Sequence, residues 1–295
     1  MRSDVVQVLY TAVVLGSTYA LMASGLTLIW GGLRFLNLAY GAVFSVGAFA
    51  AYWAVASWGL PPLAALPVGF FASAALGAII HLGIFRPLLK RPDGETSTLV
   101  AGLGIALFVQ AALVIRFSPR ERSLPPLVHG SFDIPGGVVA SASAALIVVS
   151  AAITLTILSI FLTRSQYGVG IRALANNRNG AELLGIDTGR LVLLVMVLGS
   201  GLAGLAGVLL SSFYFVSIAA GFTALVKGLI VTITGGLGNL RGTLIAAYLV
   251  GFVESSVSLW LGVRWSLPVL FAGVLILLVV RPRGIAGRIS FEGGR

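Results

Sequence analysis

Apolar residues in this chain run on without alternation. Stretches of them occupy roughly 6–30, 36–57, 62–85, 97–116, 138–162, 191–216, 222–234, 242–262 and 266–280. A helix crosses the hydrocarbon core of a bilayer in about 20 residues, and most of these runs are of that order. A transmembrane barrel strand would alternate apolar and polar residues over about 10 positions; Ala144–Leu162 and Leu191–Leu210 do not. A helix satisfies its own backbone hydrogen bonds in lipid and needs no alternation. The pattern therefore predicts an all-α, polytopic transmembrane helical bundle. The run 222–234 is too short to cross alone as a straight helix and reads as a half-helix or a re-entrant segment, so 8 or 9 membrane segments are expected. No stretch is long enough for a separate soluble domain, and residues 1–295 read as one transmembrane domain.

Two connections exceed what a turn needs. Residues 118–137 carry Pro119, Pro125, Pro126, Pro135, Gly136 and Gly137 and read as an ordered external loop. Residues 164–190 contain no proline and many helix formers, and they far exceed the usual helix–helix connection of about 2–8 residues. Within them Ile171, Ala175, Leu183, Leu184 and Ile186 supply apolar faces for one or two short helices, against Asn176, Asn177, Arg178, Glu182 and Asp187. Such an element docks into a groove of a partner protein or lies on the lipid interface. Periodicity alone leaves both readings open.

Composition agrees with the pattern: 58% of residues are hydrophobic and 9% charged, against about 25% charged in soluble domains. The net charge of +10 does not point to nucleic acid, because the basic residues sit in short loops between apolar runs, where orientation signals belong. Arg34, Arg86, Lys90, Arg91, Arg164, Arg172, Arg178, Arg190, Arg241, Arg281, Arg283, Arg288 and Arg295 share one side, 13 of the 19 Lys and Arg residues. Arg2, Arg116, Arg120, Arg122 and Arg264 fall on the other, and the richer side is expected to be cytoplasmic. Trp53, Trp58, Trp260 and Trp265 near span ends fit interfacial anchoring. Met1–Asp4 lacks a basic segment and cleavage site and reads as the start of the first span.

The candidate chemistry is sparse. A P-loop needs Gly-Lys-Ser/Thr, and the only lysines, Lys90 and Lys227, follow Leu89 and Val226. With no cysteine, and His81 and His129 far apart, no metal cluster is expected. No HExxH or GxSxG constellation supports a membrane enzyme. Glu254 and Lys227 stand deep in apolar runs; each lines a pathway or relay, or makes a structural hydrogen bond or snorkels. Gly199, Ser200, Ala203, Gly204 and Gly207 form a small-residue face suited to close helix packing. A weak internal echo relates Gly31-Gly32-Leu33…Asn37-Leu38…Gly41 to Gly235-Gly236-Leu237…Asn239-Leu240…Gly242.

Three stretches resemble a known family. Gly16–Leu21, Gly25–Ile29, Leu36–Gly41 and Gly47-Ala48 form the first; Gly168–Ala173 with Ala181, Leu184, Gly185, Ile186 and Asp187 the second; Leu202–Gly207, Gly235–Gly238, Gly242 and Gly251 to Glu254-Ser255 the third. Together they resemble permease subunits of bacterial ABC importers of the branched-chain amino acid type, LivH-like, although Tyr40 stands where that family usually has His and no proline occurs near Asn179. The resemblance implies a non-catalytic, multi-pass subunit of the inner membrane. Its implied partners are a second related permease, two cytoplasmic ATPase subunits that use ATP and Mg, and a periplasmic solute-binding protein. No cofactor is bound by the chain itself. The resemblance implies an ATPase-coupling loop at 164–190, with Gly168, Arg172, Ala173, Ala181, Glu182, Leu184, Gly185, Ile186 and Asp187, and makes Asn37, Gly235, Gly236 and Gly238 candidates for the translocation pathway beside Glu254, which is a candidate by its depth. The alternatives are a urea or short-chain amide ABC permease, or an ion-coupled secondary transporter working through Glu254.

Overall fold

The computed structural model describes residues 2–33, 36–118, 120–134, 137–282 and 284–286. Arg34, Arg283, Arg288 and Arg295 of the orientation count, and Pro119, Pro135 and Gly136 of the external loop, lie outside the described residues. In chain order the elements are α1 (Arg2–Leu33), α2 (Tyr40–Trp58), a 3-10 turn at Pro62–Ala64, α3 (Ala65–Ile80), a π-helical turn at His81–Phe85, α4 (Arg86–Leu88) and α5 (Gly94–Phe117). A hairpin of β1 (Ser131–Ile134) and β2 (Val138–Ser141) precedes α6 (Ala142–Arg164). Then follow α7 (Gln166–Asn176), α8 (Arg178–Leu183), α9 (Thr188–Phe213), α10 (Ala220–Gly235), α11 (Leu240–Trp260), a 3-10 turn at Val263–Trp265 and α12 (Ser266–Val280). Among the described residues, eight helices are long and apolar enough to cross a membrane.

The bundle is built around α1 and α9, whose apolar windows are 94% and 78% buried, against 22% for α6 and 17% for α12. The difference follows from side-chain size. Along α9 the face Gly199, Ser200, Ala203, Gly204, Gly207 is wholly buried. A β-carbon at Gly204 would run into the Gly69 carbonyl of α3 and the Ser73 side chain. Close approach of this kind replaces the hydrophobic drive that lipid removes. On its other side α1 runs antiparallel to α11, tied by Thr27–Thr243 (2.8 Å), Ser17–Tyr248 (3.2 Å) and Ser255 to the Val8 carbonyl (2.9 Å).

Three elements depart from the hydrophobic pattern. Apolar Val138–Ser141 pairs with Ser131–Ile134 as a strand, so α6 starts four residues later than the run 138–162 suggests. The seventh run is neither a half-helix nor re-entrant. It forms a continuous 16-residue helix, α10, about 24 Å long at 1.5 Å per residue. Just before it, Val216 exchanges backbone bonds with Arg122 in the loop after α5, and at its far end Thr234 and Gly235 accept from Ile285 and Ala286. Its ends thus lie at opposite faces of the bundle. The break in helical structure falls elsewhere: residues 36–39 are not helical, and α2 begins at Tyr40.

Candidate translocation and coupling sites

The segment Leu36–Ala39 is short, but its depth is unusual. The Tyr40 hydroxyl donates to the Met22 carbonyl (2.7 Å), about three turns before α1 ends, and Gly41 packs on Gly221 and Leu225 of α10. Gly102, eight residues into α5, faces the backbone of Leu38 and Ala39. The chain therefore folds back along α1 and starts α2 inside the bundle. Non-helical backbone at such depth is tolerated where protein buries it or a cavity adjoins it. Here both hold. Asn37 is 2% exposed, and its Oδ1 accepts from the Ala39 N–H (3.0 Å). Its Nδ2 has no partner among the described residues, and Asn37 helps to line a cavity of about 10 Å³ together with Leu26, Ile29, Trp30, Leu229 and Thr232. That volume is about one water molecule.

Nearer the opposite face, Glu254 and Lys227 come together. The Lys227 ammonium lies 2.5 Å from Glu254 Oε1, and the Tyr19 hydroxyl donates to Oε2 (2.7 Å). Lys227 also donates to the Tyr19 oxygen (3.1 Å) and sits 5.5 Å from the centre of its ring. The Glu254 and Lys227 side chains are 7% and 16% exposed. A lone charge at mid-bilayer costs about 2.5–3.5 kcal/mol on insertion scales; pairing removes the net charge, and the hydroxyl satisfies a remaining lone pair. The sequence shows one acid and one base in successive apolar runs but not their meeting. The signal available was that neither has another partner in its own run.

The glycine-rich break lies away from this pair. Gly235 packs on Gly242 and Thr243, and Gly236 and Gly238 take positive φ values of 98° and 81° in the turn between α10 and α11. Asn239 caps α11 through the Gly242 N–H (3.2 Å) and donates to the Ala286 carbonyl (2.6 Å). The two echoed asparagines play different parts: Asn239 caps α11, whereas Asn37 holds a turn through the Ala39 N–H, and α2 starts after Ala39 with no side-chain cap.

The 164–190 connection is a folded unit. Ser165 caps α7 through Gly168 N–H (2.9 Å), and the Arg172 guanidinium donates to the Leu162 carbonyl. Ile171, Leu174 and Ala181 face the bundle and are buried, so Ile171 is not part of an outward apolar face. Ala173 is half-buried and Ile186 likewise. Asn177 caps α8 through Gly180 N–H (3.0 Å), and Asp187 caps α9 through Arg190 N–H (3.0 Å) while pairing with its side chain (2.8 Å). Gly185, at φ 76°, ends α8 with Ile186 N–H returning to the Ala181 carbonyl (3.1 Å), a left-handed stop that glycine takes without strain. Glu182 accepts from the Thr188 hydroxyl (2.8 Å) and Arg178 (3.2 Å). These hold its carboxyl below its ordinary value, the Thr188 bond foremost. Leu183 and Leu184 are left 89% and 81% exposed at the tip.

Central helices packed on small-residue faces, a non-helical fold-back at depth and eight apolar helices long enough to cross define a multi-pass membrane protein. The chain belongs to the family described as branched-chain amino acid transport system / permease component, which it matches over residues 8–280. It is 31% identical over 299 residues to the high-affinity branched-chain amino acid transport system permease protein BraD of Pseudomonas aeruginosa, with 97% of each chain covered. It is 32% identical over 301 residues to LivH of Escherichia coli K12, covering 97% of this chain and 96% of that one. A probable LivH of Methanocaldococcus jannaschii is 26% identical over 296 residues. The chain is accordingly an inner-membrane transport permease component of all-α architecture.

Proposed function

We propose that residues 1–295 act as one transmembrane permease domain of an ATP-driven importer that moves branched-chain or related amino acids. The observation that carries this reading is similarity along nearly the whole chain to permeases of that system. The relatives do not favour a urea or amide cargo. Proton coupling through Glu254 is disfavoured because its carboxylate is already held by Lys227.

The chain pairs with a second related permease, two ATPase subunits and a periplasmic binding protein. ATP and Mg act on the ATPase chains, and this chain catalyses nothing. Closure of the ATPases pushes on the loop 164–190, with Gly168, Arg172, Ala173, Ala181, Glu182, Leu184, Gly185, Ile186 and Asp187 holding its shape or its contact surface. Leu183 and Leu184 seat in an apolar groove of the ATPase, which explains why two leucines stand in water. The helices then shift between two packings, opening a passage beside Asn37, with Glu254 on its wall and the Gly235–Gly238 turn as its cytoplasmic hinge. The test is tagged purification in mild detergent beside a Glu182→Lys/Gly185→Arg variant, followed by reconstitution. Recovery of ATPase and second permease by wild type alone supports the reading; wild type that transports leucine without any ATPase overturns it.

A further inference from the structure

The Lys227–Glu254–Tyr19 cluster needs a reason beyond packing. Apolar side chains of similar volume would join α1, α10 and α11 at least as well as a desolvated ion pair. The cluster is neutral overall, and it presents one ammonium and one carboxylate side by side. Lys227 spends bonds on Glu254 and the Tyr19 hydroxyl, and its third N–H is left over. Further along the same two helices, Leu26 and Ile29 of α1 and Leu229 of α10 line the small cavity beside Asn37. Leu229 and Thr232 lie about 3 and 8 Å along α10 from Lys227, at 1.5 Å per residue. That is within the span of an aliphatic amino acid with its side chain extended. Between the two regions the atoms nearest a β-carbon at Gly228 would belong to the Met22 and Leu26 side chains rather than to backbone, flexible groups that can swing aside.

We propose that this cluster is a recognition site for the charged head of the cargo: when α10 parts from α1 and α11, Lys227 takes the α-carboxylate and Glu254 the α-ammonium of a zwitterionic aliphatic amino acid. The side chain of the cargo then lies against Leu26, Ile29 and Leu229, and the Tyr19 hydroxyl keeps one bond to whichever charge is momentarily free. In the closed conformation the two residues neutralise each other, so the empty passage holds no unpaired charge. The inference rests on the amino-acid importer reading above.

The test uses the complete importer with its binding protein in proteoliposomes, and reads leucine uptake and ATP hydrolysis together. Lys227→Met/Glu254→Gln removes both charges and leaves neither buried alone. The expected result is an assembled complex whose binding protein still stimulates ATP hydrolysis, with leucine moved per ATP reduced at least tenfold. Lys227→Arg keeps the pair with a different donor geometry and is expected to lower the same ratio several-fold. If both variants assemble and keep the wild-type ratio, the cluster is structural and the inference fails. It fails equally if the double variant does not assemble while Lys227→Arg transports normally. Absence of leucine uptake by wild type would instead overturn the importer reading itself.

Discussion

At the scale of single residues, small side chains and one ion pair carry most of the argument. Gly204 permits α9 to meet α3 at backbone distance, because a β-carbon there has no space beside the Gly69 carbonyl. Gly204→Val should therefore cost about 1–3 kcal/mol through overpacking, seen as a loss of monodisperse protein in size-exclusion chromatography. Lys227 and Glu254 make a different case. Removing one member strands the other charge, at about 3–5 kcal/mol, whereas removing both is near neutral. Thermal unfolding in detergent should thus show Lys227→Met melting well below both wild type and the Lys227→Met/Glu254→Gln double variant. Equal melting temperatures for the single and double variants would show that the pair is not buried as a unit.

At the scale of elements, the loop between α6 and α9 shows how caps turn a connection into successive helices. Each helix in it starts on a side-chain acceptor, Ser165, Asn177 or Asp187. Its exposed leucines are then free to bind. Leu183→Ala/Leu184→Ala should reduce ATPase recovery at least tenfold while leaving permease yield unchanged, since neither side chain supports the bundle. Glu182 adds a pH dependence. Its carboxyl is depressed in the folded loop from an ordinary 4.5, so its contribution to loop stability is present above that value and is lost as pH falls through the lower folded one. Hydrogen exchange over 177–188, corrected for its intrinsic pH dependence, should accelerate on acidification below about pH 4.5 in wild type. Glu182→Gln should lack that step.

At the scale of the molecule, α10 decides the topology. Its ends are pinned to opposite faces, by Arg122–Val216 and by Ile285 and Ala286 on Thr234 and Gly235. The α2–α3, α5–α6, α9–α10 and α11–α12 connections then share one face and the C-terminal end of α12 the other. The chain has no cysteine, so single substitutions report directly. Phe215→Cys should react with an impermeant thiol reagent in intact cells, and Arg241→Cys only after permeabilisation. Labelling of both from one side would mean that α10 does not cross.

The class of fold was legible in the sequence because lipid imposes it locally. Every span must be apolar and must satisfy its own backbone bonds, so unbroken apolar runs report helices without knowledge of contacts. That the 164–190 connection folds into short helices was legible for the same reason, as helix formers and the lack of proline act within a few positions. Ile171 and Leu184 look alike in sequence, yet one is buried and the other exposed, because facing depends on what lies across the loop. Depth and partnership are long-range. Hydropathy alone placed the start of the second span at residue 36, since Leu36, Leu38 and Ala39 are as apolar in a fold-back as in a helix. That they are a non-helical segment beside Asn37 is decided by α1, α5 and α10 together. The meeting of Lys227 with Glu254 and Tyr19, 208 and 235 positions away from Tyr19 in the chain, is likewise a property of packing. Sequence determined what can sit in the membrane; only the tertiary structure decided which polar groups the membrane's low dielectric forces to find each other.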